Sequence, residues 1–411
     1  MSNYLEIDLT LTEKQRQLKN AVHQFAKEVL RPAALRLDKL HDPAQVIAAD
    51  SELWPTLAAT YQQKFHTALI PTEVGGLGLN GLDLHIALEE LGWGSADFAI
   101  SLAVTGFPFA MLAMSGQRSL IEDWVKPFVN DGSAKMVGCW GLTEPGHGSD
   151  QFVANGPQFR DPAISSEMTA RVDGDSYVIN GSKAQWISNG TIATHAIVYL
   201  NVAPGQGMAG NGIAFVPLNL PGVSKEKPLD KLGQRALNQG GIMFDNVRIP
   251  KQYLIIGADG YETALRHTLT LTNAAMGAIF TGVAQAAYEE ALAYTKVRVQ
   301  GGKPICQHQL VQKHLFDMFT KVTNCRLLSR AAMVYNASQA AQPALEYAVA
   351  AKVYCTQAAY EVADTAVQLF GGRGLSKEYL VEKLYRDARA ALIEDGSNDV
   401  LTLVGAQEIL R

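Results

Sequence analysis

A glycine-rich stretch at residues 139–150 carries groups that suit a phosphate or the edge of a heteroaromatic ring. Gly146 and Gly148 let the backbone approach a ligand and present bare amide groups. Thr143 and Ser149 add hydroxyls that can donate to acceptors on a ligand. The stretch therefore predicts a ligand cradle, and an ordinary Gly/Pro turn between two strands is the alternative interpretation.

Three consecutive regions of different sequence pattern must position this stretch. Residues 1–134 show helical periodicity, residues 135–252 alternate short strand-like runs with turn signals, and residues 253–411 are helical again. The sequence therefore predicts an α+β multidomain fold. Its parts are an N-terminal α-helical domain, a central antiparallel β-barrel or sandwich domain and a C-terminal four-helix bundle.

The first region begins with a capping-box pattern formed by Thr12 and Gln15. Apolar residues then recur at helical spacing, and Pro32 is predicted to end this helix. A loop with three glycines is predicted after this helix, at 71–80. Further helices are predicted near 82–91, 96–114 and 120–129.

In the central region, strand 177–179 is predicted to turn at Asn180-Gly181 and to return as strand 184–187. Strands are also predicted at 195–201 and 212–218, and residues 151–167 are predicted to form a long surface loop. Residues 205–210 match the GxGxxG pattern literally. A strand-like run follows them instead of a helix, so we interpret them as a hairpin loop and not as a nucleotide site.

The last region contains Ala-rich segments long enough for bundle helices, at 284–293, 310–336 and 344–367. A glycine-rich interruption at 371–374 is followed by two further helices. Between these two helices lies a polar turn at 394–399.

Composition describes an ordinary globular protein with 411 residues, 47% hydrophobic residues and a net charge of -5. The acidic balance argues against a nucleic-acid partner. The cysteines lack CxxC spacing, so we expect reduced thiols and neither a metal site nor disulfides. The N-terminal residues do not resemble a signal peptide, and no run is expected to span a bilayer. A cytoplasmic protein without a membrane partner is therefore expected.

Residues 142–150, Leu-Thr-Glu-Pro-Gly-His-Gly-Ser-Asp, resemble the flavin-contacting segment of the acyl-CoA dehydrogenase family. Further motifs follow in family order along essentially the whole chain. They are Gln-Trp-Ile-Ser-Asn-Gly at 185–190, Arg298 with Gly-Lys-Pro at 302–304 and His308-Gln309, Gln-Leu-Phe-Gly-Gly-Arg-Gly at 368–374, and Glu-Lys-Leu-Tyr-Arg-Asp at 382–387. The resemblance implies bound FAD and an acyl-thioester dehydrogenase, in which a carboxylate removes the α-proton while a β-hydride goes to flavin N5.

The resemblance also implies roles for single residues. Thr143 would hydrogen-bond the pyrimidine side of the flavin, Trp186 would pack against the flavin, and Ser188 would lie near N5. Ser149 would approach the pyrophosphate, and Arg298 would pair with the pyrophosphate held by a neighbouring subunit. One FAD would then be shared by two chains, so a homo-oligomer, tetramer or dimer, is implied. The other implied cofactor-binding residues are Trp140, Leu142, Gly148, Ile187, Gln300, His308, Gln309, Gln368, Leu369, Gly371, Gly372, Ser397 and Asp399.

The catalytic position departs from the family pattern, in which a Glu usually begins a Glu-Gly-Thr/Ser turn. Aligning Gly396 with the glycine of that turn places Asp395 at the base position and Glu394 one residue earlier. Asp is shorter by one carbon–carbon bond of roughly 1.5 Å, and a misplacement of about 1 Å can cost on the order of 100-fold in rate. We expect Asp395 to be the base, with Glu394 as the alternative. A protein without dehydrogenase chemistry is the third interpretation.

The substrate positions depart as well. Some family members carry the base on an earlier helix, where Thr272 stands here, and an Arg that often helps to hold the acyl-CoA corresponds to Asn273. Asn273 and Ser149 are predicted substrate contacts. The substrate is expected to be an acyl-CoA or an acyl group on a carrier protein. Ala99 aligns with the Arg that binds a distal carboxylate in glutaryl-CoA dehydrogenase, so a dicarboxylate is not favoured.

The resemblance implies an electron-transfer flavoprotein as the electron acceptor. The alternative is an O2-dependent flavin oxidase of nitroalkane-oxidase type, a relative with an Asp base and a similar Asp-Gly-x-Asn turn. The Arg that accompanies that Asp corresponds to Thr402 here, so this match is incomplete.

Overall fold

The computed structural model describes residues 7–8, 10–338 and 342–411. The first six residues, on which the signal-peptide expectation mainly rests, lie outside this part. The N-terminal region folds into helices of very different length. They are α1 Glu13–Phe25, α2 Arg31–Asp38, α3 Pro43–Val46, α4 Leu53–Gln62, α5 Gly81–Gly94, α6 Ala96–Met114, α7 Arg118–Leu120 and α8 Lys126–Val129.

The capping box at the start of α1 is confirmed, because the Thr12 side chain accepts from Gln15 N and the Gln15 side chain accepts from Thr12 N. The prediction that Pro32 ends this helix was wrong. A π-helical turn, Ala26–Leu30, joins α1 to α2 and places Pro32 in the first turn of α2. The missing amide hydrogen of a proline costs little at that position.

By length and composition, α6 could cross a bilayer, contrary to the expectation that no run would do so. Its 19 residues are mostly buried inside the protein. Membrane spans and the core helices of globular proteins both pass this test, and α6 packs against α5 and the first strand of the central sheet.

The central region forms an eight-stranded sheet with the order β6-β7-β3-β2-β4-β5-β8, in which β1 pairs with β4. Most neighbours are antiparallel, as predicted, but β1 and β2 both run parallel to β4. The strands are β1 Gly138–Gly141, β2 Thr169–Asp173, β3 Ser176–Lys183, β4 His195–Asn201, β5 Asn211–Pro217, β6 Val223–Lys225, β7 Ile242–Pro250 and β8 Leu254–Ile256.

The predicted hairpin turn at Asn180-Gly181 was wrong, as was the strand at 184–187. Strand β3 runs on through both residues with a bulge, where Gly181 has a φ of +130°. A Cβ on Gly181 would lie 2.7 Å from the Cα of Met168, so only glycine fits. The hairpin turn lies instead at residues 174–175, between the paired Asp173 and Ser176. Residues 184–187 form a turn against the cavity described below.

The segment 151–167 is only partly a surface loop. It contains two 3-10 turns, and Phe152 and Phe159 are buried. Phe159 stacks on Tyr261 with ring centroids 6.3 Å apart. The predicted hairpin loop at residues 205–210 is confirmed, because these residues connect β4 to its antiparallel neighbour β5.

The C-terminal region is helical, as predicted, and its longest helix has 40 residues. Helix α9 packs against α10, α11 and the N-terminal α5, and α12 and α13 pack against α11. The elements are α9 Ala258–Val297, a small hairpin of β9 Val299–Gln300 and β10 Lys303–Pro304, α10 Gln309–Ala337, α11 Leu345–Phe370, α12 Leu380–Ala390 and α13 Asn398–Ile409. The turn between α12 and α13 contacts the segment that follows β1, because Ser397 N donates to Ser149 Oγ at 2.9 Å.

Candidate active site

A cavity of about 1090 Å³ lies where the three regions meet. Its lining is largely apolar, with a few polar and charged groups, as in many ligand sites. Its apolar lining comes mainly from helices α5, α6 and α9, and includes Leu84, Leu88, Leu91, Ile100, Phe107 and Met276. Its polar lining comes from the glycine-rich turn, from residues 182–188 and from the turn after α12.

The glycine-rich turn forms one wall of the cavity. Strand β1 reaches this wall by passing close to α6, because a Cβ on Gly138 would lie 2.2 Å from the carbonyl oxygen of Thr105. Thr143 and Ser149 line the cavity. The expected bare amide at Gly148 is not found, because Gly148 N donates to Asp150 Oδ1 at 2.6 Å. The His147 ring, whose role the sequence left open, lies 2.8 Å from Asp150 Oδ2.

A buried ion pair holds this turn from behind. Lys183 Nζ lies 2.6 Å from Glu144 Oε1 and also donates to the carbonyl of Leu142. Both side chains are fully buried. The Glu144 carboxylate also accepts from the backbone N–H groups of Glu167 and Met168. Burial lowers the pKa of Lys183, and Glu144 opposes that effect. Sequence reasoning missed this pair, because its members are 39 residues apart.

The turn after β3 supplies an aromatic ring and a hydroxyl. Trp186 and Ser188 line the cavity, and Trp186 is 59% exposed, which is unusual for a tryptophan. The Gln239 side chain donates to Ser188 Oγ at 3.3 Å and to the Trp186 carbonyl at 3.2 Å. Lys231 Nζ in turn donates to Gln239 Oε1 at 2.8 Å. Gln239 and Lys231, which the sequence analysis did not name, therefore fix this turn.

Other predicted residues also line the same space. Leu142 and Ile187 are buried in its wall, and the Trp140 ring lies between Phe107 and Tyr199 at centroid distances of 5.6 and 6.0 Å.

The turn after α12 places two carboxylates on the cavity, those of Glu394 and Asp395. Asp395 adopts a left-handed backbone conformation with a φ of +56°, which is unusual for a residue other than glycine. Glu394 accepts a hydrogen bond from the Gln234 side chain. Thr272, which aligns with the alternative base position, lines the cavity beside them.

Burial raises the pKa of the Asp395 carboxyl to about 6, while the Lys352 ammonium and the Thr272 hydroxyl lower it. Burial also raises the pKa of Glu394 to about 7, against the opposing effects of Gln234, Lys231 and Lys352. Both carboxyls therefore titrate closer to neutral pH than an ordinary carboxyl group does. Raised carboxyl pKa values in a cavity are typical of acid–base sites.

A second group of predicted residues lies away from the cavity. The Tyr294 ring stacks on Phe370 with centroids 3.9 Å apart, which brings the loop after α9 next to the end of α11. Residues of this group lie at that end of the bundle, exposed or half-buried, and they are Arg298, Gln300, His308, Gln309, Gln368, Leu369, Gly371 and Gly372. Within one chain they do not line the cavity.

The remaining predicted residues flank the site without lining it. Ser397 N donates to Ser149 Oγ at 2.9 Å, and Asp399 is exposed at the start of α13. Asn273, the predicted substrate contact, is buried outside the cavity lining. Its amide nitrogen and oxygen have no hydrogen-bond partner among the described residues.

Comparison with known proteins agrees with this geometry. The N-terminal, middle and C-terminal domains of acyl-CoA dehydrogenase match residues 12–131, 139–247 and 258–410. The rat short-chain specific acyl-CoA dehydrogenase of mitochondria (Rattus norvegicus) is 32% identical over 409 residues, covering 98% of this chain and 91% of the relative.

Two solved structures resemble the whole chain. Butyryl-CoA dehydrogenase from Megasphaera elsdenii is 28% identical, with a TM-score of 0.85 over 98% of this chain and 100% of the other. A chain from a structure of the electron transferring flavoprotein of Acidaminococcus fermentans is 29% identical, with a TM-score of 0.84 over the same shares. Domain order and fold thus agree, and the chain belongs to the acyl-CoA dehydrogenase family, whose members are FAD-dependent oxidoreductases.

Proposed function

We propose that this enzyme removes hydrogen from the α and β carbons of an acyl thioester, with Asp395 as the base. The observation that carries the proposal is the position of the Asp395 carboxyl on the wall of the cavity, close to the turns that bear Thr143, Trp186 and Ser188. An exposed indole ring and two hydroxyls on one wall fit the planar ring and polar edge of a flavin. When bound there, FAD would accept the hydride from the β carbon.

The proton step is assigned to this chain's own residues. The Asp395 carboxylate would accept the α-proton, because its pKa of about 6 leaves it ionised at neutral pH. Glu394 is the weaker candidate, because its carboxylate already accepts a hydrogen bond from the Gln234 side chain. The apolar walls from α5, α6 and α9 would exclude water from the acyl group.

We further propose that a second copy of the chain completes the cofactor site. The predicted residues at the far end of the bundle, led by Arg298, do not reach the cavity of their own chain. A guanidinium is suited to pairing with a pyrophosphate. A homodimer, or a tetramer built from two of them, would bring Arg298 of one copy to the FAD of the other.

Similarity to proteins of known activity supports the choice of substrate and partner. A short-chain specific acyl-CoA dehydrogenase and a butyryl-CoA dehydrogenase are among the similar proteins, so short acyl-CoA esters are the first substrates to test. The likeness to a chain from an electron transferring flavoprotein structure supports such a protein as the electron acceptor. Thr402 is exposed and donates to its own helix, so it gives a nitroalkane-oxidase arrangement no support.

The test is anaerobic titration of the purified yellow protein with acyl-CoA esters of increasing chain length, followed by nitroalkanes. We expect a short acyl-CoA to bleach the flavin absorbance and to yield the α,β-enoyl product. Bleaching by a nitroalkane alone would replace this proposal with the oxidase. A protein that cannot take up FAD would contradict the proposal altogether.

A further inference from the structure

One buried lysine, Lys352, lies next to the turn that carries the proposed base. It lies in the first third of α11, is fully buried and does not line the cavity. Its neighbours on the buried side of α11 are apolar, including Ala348, Val349 and Ala359. Lysine is rarely buried unless it is paired, because burial of an ammonium is costly. Its presence there therefore calls for a specific partner.

The partner is the turn that carries Asp395. Lys352 Nζ donates to the Gly396 carbonyl at 2.6 Å and to Asn398 Oδ1 at 2.8 Å. The Asn398 amide donates to Thr356 Oγ1 at 3.0 Å, and Thr356 donates to the Lys352 carbonyl at 2.8 Å. The turn after α12 is thus fastened to α11 on both sides of residue 397. Asp395, directly before Gly396, has a left-handed backbone conformation, which is unfavourable for this residue and persists only where the surrounding structure fixes it.

The ammonium is also the nearby cation that opposes the effect of burial on Asp395. The other groups around Asp395 are the Thr272 hydroxyl from α9, the Tyr199 phenol from β4 and the neighbouring Glu394. Lys231 acts on Glu394, and Arg389 from α12 lines the same cavity. Burial lowers the pKa of Lys352 to about 8, with Asp395 and Glu394 opposing, so the lysine is mainly charged at neutral pH.

We propose that Lys352 is a positioning residue for the base: its ammonium fixes the turn that carries Asp395 and places a positive charge against that turn. The inference rests on the proposed function for its catalytic meaning. Lys352 touches neither the cavity nor the reacting atoms, so it acts through Asp395.

The test is an infrared titration of the full-length protein, with the Asp395 carboxyl band identified by its loss in Asp395→Asn. In the wild type, the midpoint should lie near pH 6. Lys352→Met removes both the charge and the hydrogen bonds, and Lys352→Gln keeps a donor for the Gly396 carbonyl without the charge. Both variants should move the midpoint up by about 1 to 3 pH units, because an opposite charge nearby lowers a carboxyl pKa by that amount.

The matched control is Thr356→Val, which removes the Thr356 hydroxyl and its hydrogen bonds with Asn398 and the Lys352 carbonyl but leaves the ammonium in place. Its midpoint should match that of the wild type. A folded Lys352→Met or Lys352→Gln protein with an unchanged midpoint would overturn the proposal. If Lys352→Met does not fold, the infrared titration is done with Lys352→Gln alone.

The titration needs no turnover, so it separates this inference from the proposed function. If no acyl-CoA bleaches the wild-type flavin, the proposed function fails while the midpoints still decide the role of Lys352. If the wild type is active, the acid limb of its flavin-reduction rate should move with the infrared midpoint in both variants. If the infrared midpoint moves in a variant but the acid limb of its flavin-reduction rate does not, Lys352 does not act on catalysis through Asp395.

Discussion

The backbone N–H of Ser397 donates to Oγ of Ser149 at 2.9 Å, so the turn that carries Asp395 is tied to the glycine-rich turn of the β region. The two residues are 248 positions apart and belong to different structural regions. The proposed base and the proposed flavin cradle therefore share a hydrogen bond, and a change on one side should be measurable on the other.

Ser149→Ala should loosen this connection. The part-buried Ser397 N–H would lose its acceptor, and an unsatisfied buried donor costs about 1 to 3 kcal/mol. We expect a lower free energy of unfolding in urea, weaker FAD retention and slower flavin reduction. Thr402→Ala on α13, the helix that Ser397 caps, is the control, because Thr402 is exposed and bonds only its own helix among the described residues. If Ser149→Ala and Thr402→Ala have the same free energy of unfolding, FAD retention and rate of flavin reduction, the hydrogen bond between Ser397 and Ser149 has no measurable importance.

The rate of flavin reduction should depend on the ionisation of Asp395. Burial raises the pKa of this carboxyl to about 6, so the base is protonated and inactive below that pH and ionised above it. The kcat/KM for acyl-CoA should fall about tenfold for each pH unit below about 5.5 and level off above about 7. A kcat/KM that stays constant down to pH 4.5 would indicate that the base has an ordinary carboxyl pKa, or that no titrating base takes part in the reaction.

Lys183→Met should destabilise the protein strongly. It leaves the Glu144 carboxylate fully buried without its cation, and breaking a buried pair in this way typically costs about 3 to 5 kcal/mol. Chemical denaturation would measure the loss. The double variant Lys183→Met/Glu144→Gln removes the stranded charge and should recover part of the stability. Failure of the double variant to recover any would mean that the packing of Lys183, and not its charge, supports the turn.

Arg298→Ala should weaken FAD binding through the neighbouring copy. Loss of a charge-assisted hydrogen bond of about 1.5 to 3 kcal/mol corresponds to roughly 10- to 150-fold in the dissociation constant. Light scattering should show a dimer or tetramer for the wild type. Arg248→Ala is the control, because Arg248 forms an exposed ion pair with Asp173 on the sheet. A monomeric wild type that keeps its FAD would contradict the shared site.

The order of the regions and the long helices could be predicted from sequence, because hydrophobic periodicity and the Thr12 capping box are local signals. The bulge at Gly181 could not, because glycine is required there by the close approach of Met168, which belongs to a different segment of the chain. The prediction that Pro32 ends a helix was wrong because a π-helical turn precedes α2 and places Pro32 in the first turn of that helix, where a proline is tolerated.

Asp395 could be proposed as the base from its place before Gly396. The groups that position this turn and shift the pKa values of its carboxyls could not be proposed from sequence. Lys352, Gln234 and Lys231 come from distant segments, and their contacts exist only in the folded chain. One signal was available: Lys352 stands alone among apolar residues on a predicted bundle helix, where a charged residue needs a partner.

The most direct test of the central claim is the anaerobic rate of flavin reduction by the best acyl-CoA substrate in Asp395→Asn and Glu394→Gln, both loaded with FAD. If Asp395 is the base, Asp395→Asn should keep its FAD but be slower by about 100- to 10,000-fold, the usual contribution of a general base, while Glu394→Gln should stay within about tenfold of the wild type. Asp395→Asn that reduces its flavin at the wild-type rate, or a loss of reduction confined to Glu394→Gln, would contradict this assignment.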